Sequence, residues 1–141
     1  MSSQSQTFSP SDVAPYSPSY DQICTTPLTS TSKLISFAGL VGADPVTGYT
    51  APTFPGQVEL ALKNLGKCLE AAGATSRDIV QVRQYIVGLR GHMGTEDAKA
   101  RGELFMKFMG GHKPPNTLVG VEGLVTKEIL YEIEVMAVVS R

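Results

Sequence analysis

The sequence has little of what marks several classes of protein. It contains no tryptophan, only two cysteines, and no unbroken apolar run approaching the roughly 18 residues of a membrane-spanning helix. Cys24 and Cys68 lack the close spacing of a metal or redox motif. These absences predict a protein without a membrane partner, with two reduced thiols in an intracellular, cytoplasmic setting.

Neither sign of charge dominates the chain. Twelve Lys and Arg residues face 13 Asp and Glu residues, which gives a net charge of -1. Domains that bind nucleic acids usually carry a basic excess or a basic stripe, so this balance disfavours a nucleic-acid partner. The first residues also lack the positive flank and apolar run of a secretory signal.

What remains is the composition of one globular domain. The 141 residues are 42% hydrophobic and 18% charged, enough to bury a core without a disulfide or metal. Residues 1–15 are rich in Ser, Gln and Pro and have no apolar period. We expect them to form a flexible arm, or an extended segment ordered by a neighbour, ahead of a single domain at 16–141.

Apolar periodicity predicts strands separated by two amphipathic helices. One helix carries an apolar face from Phe54 to Ala72, and a second follows Thr95 as its N-cap. The predicted strands are 33–41, 78–89, 116–121 and 129–139, with 20–25 as a possible antiparallel partner of the first. This order predicts an α+β fold with two helices on one face of a mixed β-sheet.

The last predicted strand is apolar on both of its alternating faces, apart from two glutamates. Two helices can cover only one side of the sheet. Because the opposite apolar face of the sheet would be left uncovered, the sequence predicts self-association.

Glu132 and Glu134 are the candidates for chemistry. Residues two apart on a strand point to the same side, about 7 Å from each other. A carboxylate among apolar neighbours is costly unless it is paired, so a structural role at a sheet edge or subunit interface is one interpretation. The other is a general acid or base with a raised pKa in a cleft between subunits.

The other reactive residue types form no recognisable site. His92 and His112 stand in Gly-rich contexts without metal-ligand spacing, so we expect surface histidines and no metal, with His92 able to reach a cleft rim. Cys68 falls on the apolar helix face and is interpreted as a buried small hydrophobe. Gly39 and Gly42 form neither a P-loop nor a dinucleotide fingerprint.

Several stretches, taken in order, resemble the Rid family, the reactive intermediate deaminases also called the YjgF or L-PSP endoribonuclease family. The stretches with this resemblance are Tyr16-Ser17-Pro18, 35–48, 65–73 with 78–80, 112–124 and 131–137. Each motif is weak alone, but the ordered set is specific and extends from Tyr16 to Val139. The resemblance implies a chorismate-mutase-like fold, a homotrimer with a central barrel, and clefts between subunits.

The resemblance also implies candidate site residues. Glu132 matches the family glutamate that assists attack of water on an imine carbon, Gly39 the motif glycine, and Tyr16 the early tyrosine. No cofactor is implied, because an imine is already electrophilic and needs only orientation and proton transfer.

The sequence departs from the family at the positions that matter most for substrate binding. Where the family has an arginine that grips a carboxylate, this chain has Asn116, followed by Thr117. An amide lacks the charge and the fork of a guanidinium. Ala38 and Leu40 replace the Ser and Gln beside the motif glycine, which predicts a more apolar cleft.

Two classes of function follow. The first is an enzyme acting on a larger, less charged imine, enamine or carbonyl metabolite by hydrolysis, dehydration, isomerisation or cyclisation, with Glu132 as acid or base. The second is a non-catalytic trimer that binds a metabolite or a protein. Endoribonuclease activity ranks third, because the chain has no basic stripe.

Overall fold

The computed structural model describes residues 4–140 as a mixed sheet with a helical layer on one face. The strands are β1 (Gln6–Phe8), β2 (Ile23–Pro27), β3 (Lys33–Phe37), β4 (Leu40–Val41), β5 (Ala43–Asp44), β6 (Tyr49–Thr50), β7 (Ile79–Val87), β8 (Asn116–Val121) and β9 (Tyr131–Val139). The helices are α1 (Phe54–Ala71), α2 (Leu89–His92) and α3 (Glu96–Met109), with a 3₁₀ turn at Ser76–Asp78.

The sheet runs in the order β1-β2-β3-β9-β7-β8, and the short β4 also pairs with β9. Only β7 and β8 are parallel; the other pairs are antiparallel. β5 and β6 form a separate hairpin. The predicted α+β fold with two main helices on one face of a mixed sheet is confirmed.

Helix α1 forms as its periodicity predicts. Thr53 caps its start by accepting a hydrogen bond from the amide of Gly56 at 3.1 Å. The chain leaves the helix through Gly73, whose φ of 73° is strained for residues other than glycine. The predicted apolar face is buried; its members are Phe54, Val58, Ala61, Leu62, Leu65, Cys68, Leu69 and Ala72. These side chains form the helical side of the core between α1 and the sheet.

Helix α3 is likewise capped by Thr95, which accepts from the amide of Ala98, and it ends at Gly110 in the left-handed conformation. Met109 of α3 is fully buried, whereas Phe105 packs against the core from a half-buried position. None of the helices within residues 4–140 is long and apolar enough to cross a membrane.

The start of the chain differs from the flexible arm expected for residues 1–15. Gln6–Phe8 extends the sheet by pairing with β2, and Val13 is buried in the core. Polar contacts hold the segment as well: the Ser9 hydroxyl donates to Asp21, and Gln22 donates to the carbonyl of Ala14. Low apolar content did not reveal this, because the segment is held by backbone pairing, by polar contacts and by only two apolar side chains, Phe8 and Val13. Residues 1–3 lie outside the described residues, and the domain boundary at 16 stays a prediction.

The face of the sheet away from the helices is open in the single chain. Residues of β9 alternate between buried side chains on the helix side and half-buried ones on this open face. Glu132, Glu134, Met136 and Val138 belong to the open face, and Leu34 and Ser36 of β3 lie opposite the last two.

Candidate functional site

A β-bulge between β3 and β4 shapes the sheet around Gly39. Ser36 pairs with Met136, and Leu40 pairs with Ile133. Leu40 is four residues after Ser36, whereas their partners are three residues apart, so the β3–β4 side contains one extra residue. The extra residue turns Leu40 into the core, where it is 3% exposed. Ala38 and Gly39 remain half-buried, and the assignment of these residues and Leu40 to a binding cleft stays a prediction.

Glu132 occupies the open face beside this bulge. It lies opposite Val41 on β4 and Tyr85 on β7. Its carboxylate lies over Gly39 so closely that a Cβ on residue 39 would overlap it. Burial, and secondly the charge of Glu134, raise the pKa of Glu132 above its ordinary value.

The carboxylate of Glu132 is half-buried and has no hydrogen-bond or ion-pair partner among residues 4–140. Most carboxylates removed from water in a folded protein are paired. An unpaired one with a raised pKa is suited to bind a polar group of a ligand or to exchange a proton with it.

Glu134, two residues along the same face, is paired. The Tyr85 hydroxyl donates to its Oε1 at 2.6 Å, and Arg83 Nη1 lies 3.9 Å from the same oxygen. The hydrogen bond to Glu134 is the main cause that raises the pKa of Tyr85. Two glutamates that look alike in the sequence therefore differ in the structure: Glu134 has partners and Glu132 does not.

A buried chain of hydrogen bonds orients Asn116. Tyr131 and Gln84 are each 0% exposed. The Tyr131 hydroxyl donates to Gln84 Oε1 at 2.7 Å, and Gln84 Nε2 donates to Asn116 Oδ1 at 3.1 Å. Because this oxygen is occupied, the exposed side chain of Asn116 offers its Nδ2 donor to the outside.

Asn116 and Glu132 are not neighbours within one chain. Asn116 lies opposite Val82, and Glu132 lies opposite Tyr85, so the two are two strands and three residues apart. Standard strand spacings give about 14 Å between their Cα atoms. Thr117 is exposed next to Asn116 and pairs with Arg83.

Tyr16 lies close to the Glu132 region. It packs, with Leu124, against a small cluster of Val41, Ala43 and Ile129. Val41 on β4 pairs with Glu132 on β9, so this cluster lies next to the glutamate. Burial, then the nearby Tyr20 and Asp44, raise the pKa of Tyr16.

Neither histidine is the surface residue expected from the sequence. His92 is 8% exposed, stacks on Phe54 with ring centroids 4.6 Å apart, and accepts a hydrogen bond from Arg101 Nε at 3.1 Å. Burial, and then the charge of Arg101, lower the pKa of His92. His92 is thus a core residue of the single chain, and its place at a cleft rim stays a prediction. His112 contacts the Ile79 carbonyl at 2.7 Å. Gly-rich sequence suggested exposure, but packing against α1 and β7 decided otherwise.

The cysteines and metal-ligand residue types form no site in the described part of the chain. Both cysteines are free; Cys68 is buried as predicted, and burial raises the pKa of its thiol to about 12. No group of three His, Cys, Asp or Glu side chains within residues 4–140 is arranged to hold a metal ion.

Sequence reasoning missed four residues that surround the candidate site or its supports: Arg83, Gln84, Tyr85 and Arg101. The sequence of β7 carries a signal for the first three, because its polar residues occupy both alternating faces of the strand. Nothing in the sequence around Arg101 indicated that this residue would be buried. It is a cation in the middle of an exposed-looking helix, yet it is 8% exposed.

Comparison with known proteins places this fold among described relatives. A RutC family protein of Pyrococcus abyssi is 30% identical over 106 residues, which is 74% of this chain and 78% of that protein. A RutC family protein of Pyrococcus horikoshii is 29% identical over 74% of this chain and 79% of its own length.

Solved structures share the same architecture. A putative endoribonuclease of Thermotoga maritima superposes with a TM-score of 0.74 at 26% identity, covering 94% of this chain and 97% of that one. TdcF of E. coli, solved with bound serine, superposes with a TM-score of 0.74 at 24% identity, covering 94% and 98% of the two chains.

The family model described as Endoribonuclease L-PSP matches residues 9–139, which begins inside the segment expected to be an arm and includes the whole candidate site. The chain is therefore a member of the endoribonuclease L-PSP family, also known as the Rid or YjgF family.

Proposed function

We propose that the protein acts on a small metabolite in clefts between the subunits of a homotrimer, with Glu132 as the acid–base group. The single observation that carries the proposal is the half-buried, unpaired carboxylate of Glu132. Structural glutamates on strands hold a partner, as Glu134 does. A carboxylate that is desolvated and left without one is better explained by a ligand that meets it.

Two features support assembly. The open face of the sheet carries the half-buried apolar side chains Leu34, Met136 and Val138, which a second sheet would cover. The separation of Asn116 and Glu132 within one chain means that a cleft containing both takes them from neighbouring subunits. The proposed lining of such a cleft is Tyr16, Ala38, Gly39, Asn116 and Thr117, with Glu132 at its acidic end.

The chemistry proposed for this cleft needs no cofactor. With an imine, water adds to the carbon while Glu132 accepts a proton from it and passes the proton to nitrogen, which gives an amino alcohol. Glu132 then moves the hydroxyl proton of this intermediate to the nitrogen. The C–N bond then breaks, ammonia leaves and a carbonyl compound remains. A raised pKa places Glu132 closer to neutral pH, where it can both accept and donate. An enamine or carbonyl substrate would use the same group for isomerisation, dehydration or cyclisation.

The preferred substrate is larger and less charged than a 2-imino acid. TdcF, which shares the fold, holds serine in its structure. Asn116 supplies one neutral N–H donor, oriented by Gln84, in place of a guanidinium. Such a donor suits a carbonyl or amide oxygen and gives little affinity for a carboxylate.

A non-catalytic metabolite- or protein-binding trimer is the alternative, and loss of the family arginine is the observation that favours it. Endoribonuclease activity, despite the family name, has the least support, because the net charge is -1 and the chain lacks a basic stripe.

The test is a panel of imines and enamines generated in solution, bearing either a carboxylate or a neutral amide or ketone next to the C=N bond. We expect turnover of neutral members and little turnover of carboxylates, and we expect the Glu132→Gln variant to lose the activity. Ligand binding without turnover of any member would favour the binding protein. Efficient turnover of a small 2-imino acid would contradict the assignment of Asn116 as a selector of neutral substrates.

A further inference from the structure

A second candidate site is a cavity beside helix α1. It has a volume of about 300 Å³, which is at the lower end of ligand pockets. Three parts of the chain enclose it: the segment around Val13, the β5–β6 hairpin and the outer face of α1. The apolar part of its wall includes Val13, Pro45 and Leu60.

The floor of this cavity holds an unpartnered acceptor. Asn64 is 9% exposed and lines the cavity. Its Nδ2 donates to the carbonyl of Val41 at 3.1 Å, whereas its Oδ1 receives no hydrogen bond from residues 4–140. The hydrogen bond to Val41 fixes the orientation of the Asn64 side-chain amide, so its Oδ1 can accept a hydrogen bond from a ligand in the cavity.

The ionic groups that line the cavity are Asp12, Asp44 and Lys67. Asp44 uses Oδ1 to accept from the amide of Val46 at 2.9 Å, and its other oxygen has no partner in the described part of the chain. Lys67 is the cation among the lining residues, and its Nζ is already paired with Asp12 at 3.1 Å. The net charge of the three lining ionic groups is therefore negative.

Tyr49 completes the wall with an aromatic ring that is 54% exposed. Aromatic faces attract organic cations, particularly where carboxylates stand nearby. An anionic ligand would have to displace Asp12 from Lys67 and would meet Asp44. The lining is suited to a hydrogen-bond donor with positive charge.

We propose that this cavity binds a small organic ammonium compound, whose N–H groups donate to Asn64 Oδ1 and Asp44 while its carbon skeleton contacts Val13, Pro45 and Leu60. The site is independent of the function proposed for Glu132. Asn64 also donates to the carbonyl of Val41, and Val41 on β4 pairs with Glu132. The cavity therefore lies next to the strand that neighbours Glu132. The segment expected to be a flexible arm supplies one wall of the cavity.

The experiment compares three probes of one shape: benzylammonium, benzyl alcohol and benzoate. Amide chemical shifts of the full-length protein are followed by NMR as each probe is added. We expect benzylammonium to bind at least about tenfold more tightly than the alcohol, with shifts centred on residues 12–14, 43–49 and 60–67, and benzoate to bind least. Equal affinity for the three probes, or shifts centred on Glu132 and Tyr85, would overturn the proposal.

Two variants give opposite expectations, which separates recognition from damage to the fold. Asp44→Asn keeps the acceptor for the Val46 amide and removes a charge, so benzylammonium binding should weaken by roughly tenfold. Lys67→Met removes the competing cation and should tighten binding about threefold or more. Glu70→Gln changes the charge of α1 outside the cavity and serves as the control. A shift of both cavity variants in the same direction, or no shift in either, would contradict the site.

Discussion

The carboxylate of Glu132 lies against the Cα of Gly39, and no side chain of any kind fits at residue 39 without moving it. The bulge between β3 and β4 produces this contact, because the extra residue brings the backbone of β3–β4 over the glutamate. The contact also removes water from one side of the carboxylate. It therefore links the local shape of the sheet to the raised pKa of Glu132.

The first prediction concerns this contact. Gly39→Ala should destabilise the fold by about 0.5–1.5 kcal/mol, because the new methyl group pushes the end of the Glu132 side chain away from its rotamer. Adding Glu132→Ala should restore most of the loss, since the overlapping atoms are then gone. Denaturant unfolding of the single and double variants measures the coupling. Gly123→Ala is the control, since a Cβ there meets nothing within 4 Å. Simple additivity of the two changes would refute the contact.

The second prediction separates the two glutamates. Glu132→Gln keeps the side-chain shape but removes the base, so turnover should fall by about 10²–10⁴-fold without a loss of melting temperature. Glu134→Gln weakens the contacts with Tyr85 and Arg83, so its effect should be on stability instead. Turnover and thermal melting of both variants are measured on one substrate. Equal turnover of wild type and Glu132→Gln, with the fold intact, would remove this residue from the mechanism.

The third prediction is a pH dependence of stability. The pKa of Glu132 is raised above its ordinary value of 4.5, so the folded state holds this proton more tightly than the unfolded state does. The free energy of unfolding should therefore fall as pH rises from about 4.5 through the folded-state pKa. Glu132→Gln lacks this titration and should gain stability relative to wild type over the same window. Denaturant midpoints measured across this range test it; a constant difference between the two proteins would contradict the raised pKa.

The fourth prediction concerns the missing arginine. Asn116→Arg should raise activity on carboxylate-bearing imines by roughly one to two decades, because a charge-assisted contact is worth about 1.5–3 kcal/mol. Val125→Arg adds the same charge at an exposed position and should have no effect. The ratio of kcat/KM for carboxylate and neutral imines is the measurement. An unchanged ratio in Asn116→Arg would show that residue 116 does not face the substrate.

The fifth prediction is the oligomeric state. Light scattering should report about 45 kDa, three times the 15.0 kDa chain. Met136→Glu introduces a charge on the open face of the sheet and should shift the mass towards a monomer. Met106→Glu, on the exposed side of α3, should leave the mass unchanged. A monomeric wild-type protein at micromolar concentration would remove both the trimer and the shared cleft.

The sequence by itself determined the two main helices and the long strands β7, β8 and β9, with their order. The apolar period of α1 and the Thr95 cap depend on residues close together in the chain, so local physical rules predict them. The same holds for β8, whose bounds match the prediction, and for the alternation of β9 that shows one sheet face to be uncovered. Family membership also followed from the order of short motifs, each of which is local.

Only the tertiary structure decided which of these residues meet. One extra residue between β3 and β4 turned Leu40 into the core and brought Gly39 over Glu132. The local sequence pattern does not show how the residues of two paired strands are aligned, so it does not predict this bulge. His92 and Arg101 became neighbours because α2 and the second turn of α3 fold back on each other. The difference between Glu132 and Glu134 arises from β7, where Tyr85 can donate to only one of them. These relationships depend on contacts between residues distant in sequence, for which periodicity carries no information.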